Sequence, residues 1–210
     1  MNTFTLKMIA VIAMLIDHVG HVLFPEVEIL RIIGRIAFPI FAYVLVEGFL
    51  HTKDVWKYLQ RLCIFAFLSE IPFDLAIYGK AFVFSHQNVF FTLALGLLLM
   101  IMLVKQTSSL KRALIGVAIL LLSEFLRTDY SSVGILIILG FYMFRQSKKA
   151  QIGMVALLML LYTGGLQIYA MLGLIPIAFH NGEQGRKTKW FFYAFYPVHL
   201  LVLYVIGLWI

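Results

Sequence analysis

The chain has 210 residues, 62% hydrophobic and 13% charged, with a formal net charge of +7 and a single cysteine. Soluble domains carry roughly a quarter charged residues, so this composition excludes an ordinary water-soluble fold and needs a bilayer to cover its apolar surface. Cys63 on its own excludes an intrachain disulfide.

In chain order, nearly charge-free stretches bounded by turn-like breaks predict helices near residues 4–24, 29–51, 58–78, 88–104, 112–127, 131–145, 150–163, 166–180 and 190–210. A spanning helix needs roughly 20 apolar residues, and most of these stretches approach that length. The expected fold is all-α: a polytopic transmembrane helical bundle of about nine spans, with eight to ten possible. It occupies residues 1–210 as a single integral membrane domain. The first stretch runs into Asp17-His18 rather than a small-residue cleavage site, so it reads as a helix and not as a removed leader.

Basic residues fall in every second connection: Lys53, Lys57 and Arg61; Lys105, Lys111 and Arg112; Arg145, Lys148 and Lys149; Arg186, Lys187 and Lys189. These are twelve of the seventeen Lys and Arg, and only Arg31, Lys80 and Arg127 lie near the other side. The positive-inside rule explains this alternation and makes a nucleic-acid partner unnecessary. It predicts a multi-pass protein in contact with membrane lipids, its N-terminus in the cytoplasm and Ile210 outside. Thr163-Gly164-Gly165 separates the seventh and eighth stretches. One broken helix there would translocate the Arg186–Lys189 cluster, so two short crossings are expected.

Ionisable groups near the bilayer centre cost about 2.5–3.5 kcal/mol each and therefore face a cavity or a partner. The first stretch carries Asp17, His18 and His21 towards its outer end, and the second begins with Arg31 and Arg35. Glu70 and Asp74 flank Pro72 in the third, His86 and Asn88 open the fourth, and Glu124 closes the fifth. One polar layer near the outer face is predicted, and a structural anchor alone would not need it. Asp17 and His21 are i and i+4, and His18 and His21 are three apart, so the carboxylate can orient either imidazole as a general base. Arg31 and Arg35 present two guanidinium groups suited to phosphate, carboxylate or a developing oxyanion. Lys7 and His18 share a helix face about 16 Å apart along the axis. That arrangement suits a long anionic donor entering from the cytosol, with Lys7 as the cation at its mouth, while Arg61, with Lys57 and Lys53, can hold cofactor phosphates or merely set topology. His21, Arg31, Glu70, Asp74, His86 and Asn88 are candidates for substrate binding. For Lys7 the bland alternative is that it only sets orientation, and for Tyr196 and His199 in the last stretch a structural role is the simpler reading. The spacing of Asp17, His18, His21 and His86 matches no metal-site signature, and no metal is expected.

Several strings also resemble a known family. Leu6-Lys7-Met8-Ile9-Ala10, Asp17-His18-Val19-Gly20, Gly34-Arg35-Ile36-Ala37-Phe38-Pro39-Ile40-Phe41, Glu47-Gly48-Phe49, Ser69-Glu70-Ile71-Pro72-Phe73-Asp74, Asn88-Val89-Phe90-Phe91-Thr92 and Tyr196-Pro197-Val198-His199 are similar to the TraX family. That family is named for the membrane acetylase that modifies the N-terminus of F-type pilin. Lys7 and His18 also stand at the spacing found in the first helix of the membrane acyltransferases that O-acetylate surface sugars. Gly34…Phe41…Glu47-Gly48-Phe49 is similar to their second-helix run, with Glu47 in place of Ser. The resemblance implies a protein of the bacterial cytoplasmic membrane, with acetyl-CoA as cytosolic acyl donor, His18 as catalytic base and Lys7 as its required partner. It implies no particular extracytoplasmic acceptor: peptide, glycan and lipid stay open, as does the oligomeric state.

The expected reaction is removal of a proton from an amine or hydroxyl by His18, oriented by Asp17 directly or through His21. Arg35, with Arg31 or Asn88, stabilises the oxyanion. A proton-coupled small-molecule transporter is the rival expectation, since intramembrane Asp, Glu and His chains also serve proton relays. A structural assembly factor explains the loops but not the polar layer.

Overall fold

Caps and prolines decide where the helices begin and bend. The computed structural model describes residues 1–162, 164–186 and 188–209. The chain runs through α1 (Thr3–Val22), α2 (Glu28–Gly34), α3 (Ala37–His51), α4 (Val55–Tyr78), α5 (Val89–Lys105), α6 (Ser109–Phe125), α7 (Ser131–Met143) and α8 (Lys148–Tyr162). A 3₁₀ segment (Gly165–Gly173) then leads into α9 (Leu174–Ala178), and α10 (Lys189–Gly207) follows. Among the described residues there is no β-strand, only an isolated parallel bridge between Gln87 and Thr128.

Side-chain oxygens of Asn2, Asp54 and Asn88 accept from the backbone N–H groups of Thr5, Lys57 and Phe90, so α1, α4 and α5 start on satisfied donors. Between α2 and α3 the cause is Pro39. In an uninterrupted helix its missing N–H would have bonded the carbonyl of Arg35, so the ladder lapses at Arg35-Ile36. Both residues keep right-handed helical dihedrals, and Glu28–His51 remains one 24-residue rod with a flaw where a guanidinium is needed.

All nine predicted stretches are helical, but they are unequal. Thr3–Val22, Glu28–His51 and Trp190–Gly207 are long and apolar enough to cross a membrane, whereas Val89–Lys105, Ser131–Met143 and Gly165–Ala178 are shorter apolar helices. The eighth stretch is mostly 3₁₀, not α. Pro176 removes the N–H that would have bonded Leu172, and Gly165 at φ +55 sets the entry, so a continuous α-helix cannot form there. Thr163 of the predicted break, Lys187 of the last basic cluster and the terminal Ile210 lie outside the described residues.

α10 packs against both α1 and α4 and so joins the two ends of the sequence; α1 also packs on α2 and α3, α5 on α4, α6 and α7, and α7 on α3 and α8. Buried residues such as Leu6, Ala10, Ile40, Val46, Leu97, Met100, Phe141 and Leu200 form one core through these helices. On α10 the buried residues Tyr196, His199, Leu200 and Leu203 make a single stripe, while Val198, Leu201, Val202, Val205 and Ile206 are exposed. Among these described residues α10 turns a tyrosine and a histidine inwards and apolar side chains outwards.

Candidate active site

The end of the bundle opposite Thr3 gathers α1, the α2–α3 junction, the C-terminal end of α4, the start of α5 and the loop before α7. Asp17 of α1 is the centre of charge. Its carboxylate accepts from Arg35 Nη2 at 2.5 Å on both oxygens and from Arg31 Nη1 at 3.0 Å. Arg31 also donates to the Asp17 carbonyl at 3.1 Å, so both arginines are clamped to one turn of α1. Gly34 permits this approach: a Cβ there would lie 2.1 Å from the Asp17 Cβ.

One residue on, His18 is 9% exposed and faces α10. Its Nδ1 is 2.7 Å from His199 Nε2, and His199 Nδ1 is 2.7 Å from the Phe195 carbonyl. The two imidazole planes differ by 25° with centroids 4.9 Å apart, which is the N···N distance plus the two ring radii. The rings therefore meet edge to edge. Tyr196 lies across His18 in a T-shaped contact at 6.0 Å.

These groups surround a cavity of about 210 Å³ lined by Asp17, His18, His21, Arg31, Arg35, His86, Asp129, Tyr130 and Tyr196, with Met14, Phe38, Phe41, Phe73 and Val89 among its apolar walls. Two loops cover it. Gln87 exchanges backbone hydrogen bonds with the 127–129 segment (to Arg127 O at 3.0 Å, from Asp129 N at 2.9 Å), and His86 Nε2 stands 3.4 Å from Asp129 Oδ1. The bond to Asp129 holds the His86 imidazole above the ordinary histidine value, against the opposing effect of burial. Arg127, Tyr130 and Ser131 all adopt positive φ (53°, 62° and 45°), a cluster of sparsely populated conformations beside a cavity. Tyr130 stacks on Phe38 with centroids 3.7 Å apart.

A second cavity of about 450 Å³ lies towards the N-terminal end of α1, lined by Lys7, His51, Tyr58, Arg61, Arg186, Phe192 and Tyr193. Met14, Phe41, Val89 and Tyr196 line both cavities and stand between them. Lys7 rests over the Phe192 ring at 5.4 Å, and Arg61 over Tyr58 at 5.6 Å. Arg61 Nε is buried with no hydrogen-bond partner among the described residues. An orphaned guanidinium N–H beside two further cations fits an oxyanion such as a phosphate.

The structure thus brings His18, His21, Arg31, Arg35, Asp17 and His86 to one cavity, and Lys7 and Arg61 to the other. It alters four expectations. Asp17 makes no hydrogen bond to an imidazole among the described residues, its carboxylate being engaged by two guanidinium groups; the partner of His18 is His199. Lys57 does not line the second cavity: it sits in the exposed first turn of α4, 3.5 Å from Asp54, with its side chain 74% exposed. Asn88 is turned away from the arginines, capping α5 and donating to the Ala66 carbonyl at 2.8 Å and to the Glu70 carboxylate. Glu70 and Asp74 pin the α4–α5 connection, Asp74 accepting from Val83 N at 2.7 Å, and neither lines either of these two cavities. Glu70 Oε1 and Asp74 Oδ1 are buried without a hydrogen-bond partner among the described residues. Glu124, at the end of α6, accepts from Ser132 N at 2.9 Å and steadies the start of α7. Among the described residues, no three of His, Cys, Asp and Glu are grouped to hold a metal ion.

Residues beyond the expected set also matter: His199, Asp129, Tyr130 and Arg186. His199 had a legible signal, being the one histidine in an otherwise apolar last helix. Asp129 and Tyr130 lie in a loop whose strain has no sequence signature.

An all-helical membrane protein whose buried histidine, arginines and carboxylate enclose a cavity is the class that fold and site define. The family model described as TraX protein matches residues 3–207, and the chain belongs to the TraX family. It is 32% identical to "Probable fimbrial assembly protein FimC, serogroup H1" of Dichelobacter nodosus, over 96% of this chain and 94% of that protein. A shorter similarity, 63% identity over 38 residues, links it to "Uncharacterized protein RP591" of Rickettsia prowazekii (strain Madrid E), covering 18% of this chain and 15% of that one. No solved structure matches.

Proposed function

We propose that this protein is a membrane-embedded acetyltransferase that carries an acetyl group from cytosolic acetyl-CoA to an amine or hydroxyl of an extracytoplasmic acceptor. The observation that carries the reading is the pair of adjoining cavities, one walled by cations and aromatic rings and the other by His18 and the arginine pair. In this reading the N-terminus lies in the cytoplasm of a bacterial cell, the 450 Å³ cavity opens inside and the 210 Å³ cavity outside, which the alternation of basic connections supports. The nine helical stretches then make nine crossings, the shorter ones thinning the bilayer or leaning on their neighbours.

Lys7, Arg61 and Arg186 hold the phosphates of the donor, and the apolar neck at Met14, Phe41, Val89 and Tyr196 passes its thioester arm. His18 removes the acceptor proton as the new N–C or O–C bond forms. N–H groups of Arg31 and Arg35 not engaged by Asp17 face the oxyanion that develops on the carbonyl. The C–S bond then breaks, and the proton on His18 passes to the departing thiolate. A positioned base contributes about 10²–10⁴-fold and an oxyanion donor about 10²–10³-fold. The fimbrial relative's name points to a fimbrial subunit as one acceptor class, alongside the peptide, glycan and lipid chemistries that His18 can serve equally.

Purified protein in liposomes given acetyl-labelled acetyl-CoA on the cytoplasmic face is expected to label an acceptor on the other side. His18→Ala should lower this by at least about 100-fold while the protein still inserts. Accumulation of a small molecule without consumption of acetyl-CoA would instead establish the proton-coupled transporter.

A further inference from the structure

We infer that His199 is the positioning residue that fixes the tautomer of His18, leaving His18 Nε2 bare as the proton-accepting atom. This rests on the reading of His18 as the base. The Phe195 carbonyl can only accept, so His199 Nδ1, 2.7 Å away, carries a proton. A neutral imidazole has one N–H, so His199 Nε2 presents a lone pair. His18 Nδ1 lies 2.7 Å from that lone pair and must be the donor. Its own single proton is then on Nδ1, and Nε2 is free. The chain of assignments starts from a backbone atom of α10 and needs no ligand.

A second proton on His199 would reverse the outcome, turning His18 Nδ1 into the acceptor and forcing the proton onto Nε2. That state places a charge in a site that is 6% exposed at His199, with no carboxylate bonded to either ring among the described residues. In serine-type triads a carboxylate holds the base; here the local carboxylate, Asp17, is spent on two arginines and a neutral imidazole does the holding. When His18 Nε2 takes the acceptor proton, His199 Nε2 shares the Nδ1 proton and spreads the new charge over both rings. The Phe195 carbonyl then accepts from the far end of the pair. The Nε2 proton leaves with the CoA thiolate, and both rings return to their starting tautomers.

The test combines ¹⁵N-histidine NMR of the protein in lipid with acetyl-transfer kinetics. Each of the six histidines is assigned by single His→Gln substitution. The expected spectrum shows His18 protonated at Nδ1 and bare at Nε2. His199→Phe, which removes the acceptor, should mix the tautomers and lower kcat by about 100-fold with KM for acetyl-CoA unchanged. His199→Gln, whose amide oxygen can accept from His18 Nδ1, should restore the tautomer and most of kcat. A native His18 protonated at Nε2, or a His199→Phe protein with unmoved tautomer and rate, overturns the assignment. Should the tautomer be as stated but His18→Ala transfer acetyl normally, the His18–His199 geometry stands and the proposed function falls.

Discussion

At the opposite end from Thr3, the charges of the cavity wall answer one another: Asp17 binds Arg31 and Arg35, and Asp129 faces His86. At the near end, Lys7 and Arg61 rest on aromatic rings, and no carboxylate pairs with them or with Arg186 among the described residues. The first arrangement is cross-linked by ion pairs, two guanidinium groups to the Asp17 carboxylate and His86 to Asp129, which hold these side chains in place. In the second, the cations rest on aromatic rings and are not pinned by an ion pair among the described residues. The two regions should therefore fail differently when disturbed.

The largest effect belongs to the cross-linked region. Arg35→Met leaves a buried carboxylate with half its partners and should cost about 3 kcal/mol, at the lower end for breaking a buried pair because Arg31 remains. Thermal unfolding in detergent would register the loss, together with loss of transfer; an unchanged transition would mean that Asp17 and Arg35 are not paired. In the second region, Arg61→Gln should raise KM for acetyl-CoA roughly tenfold with little change in kcat and in the unfolding midpoint, as removal of uniform binding does. Lys57→Gln, an exposed residue outside the cavity, should leave KM within about twofold; an equal effect from the two substitutions would erase the distinction between cavity wall and surface.

The smallest effect lies at the loops beside the 210 Å³ cavity. The folded value of His86 is raised above 6.5, so the His86–Asp129 pair contributes fully below that ordinary value and loses its contribution as pH rises through the raised one. Both side chains are about a third exposed (38% and 31%), which keeps the gain below about 1 kcal/mol. Melting of wild type and His86→Gln should therefore differ near about pH 5.5 and converge near about pH 8.5. A difference that grew with pH would reverse the assignment.

The helices were legible because apolar stretches are local: all nine predicted stretches are helical, while their exact ends rest on Asn2, Pro39, Asp54 and Asn88, of which the apolar pattern gives no sign. The gathering of His18, Arg31 and Arg35 was legible too, since bilayer energetics drives ionisable side chains towards a shared interior. Partner choice was not. His18 and His199 are 181 positions apart, and only the packing of α10 against α1 unites them. Asp17 lies next to His18 and four residues from His21, but Gly34 lets the arginine-bearing rod close onto the Asp17 side chain, where Arg31 and Arg35 bond its carboxylate. Lys57 and Arg61 look alike in a basic run, yet one turn of α4 separates an exposed cap neighbour from a cavity wall.

The account depends on one path from the cation-lined chamber, past Met14 and Tyr196, to His18. A cryo-electron microscopy map of the protein with CoA tests it directly. The predicted density places the phosphates among Lys7, Arg61 and Arg186 and the thiol beside His18 Nε2. CoA bound elsewhere, or with its thiol ending short of Met14, would contradict it.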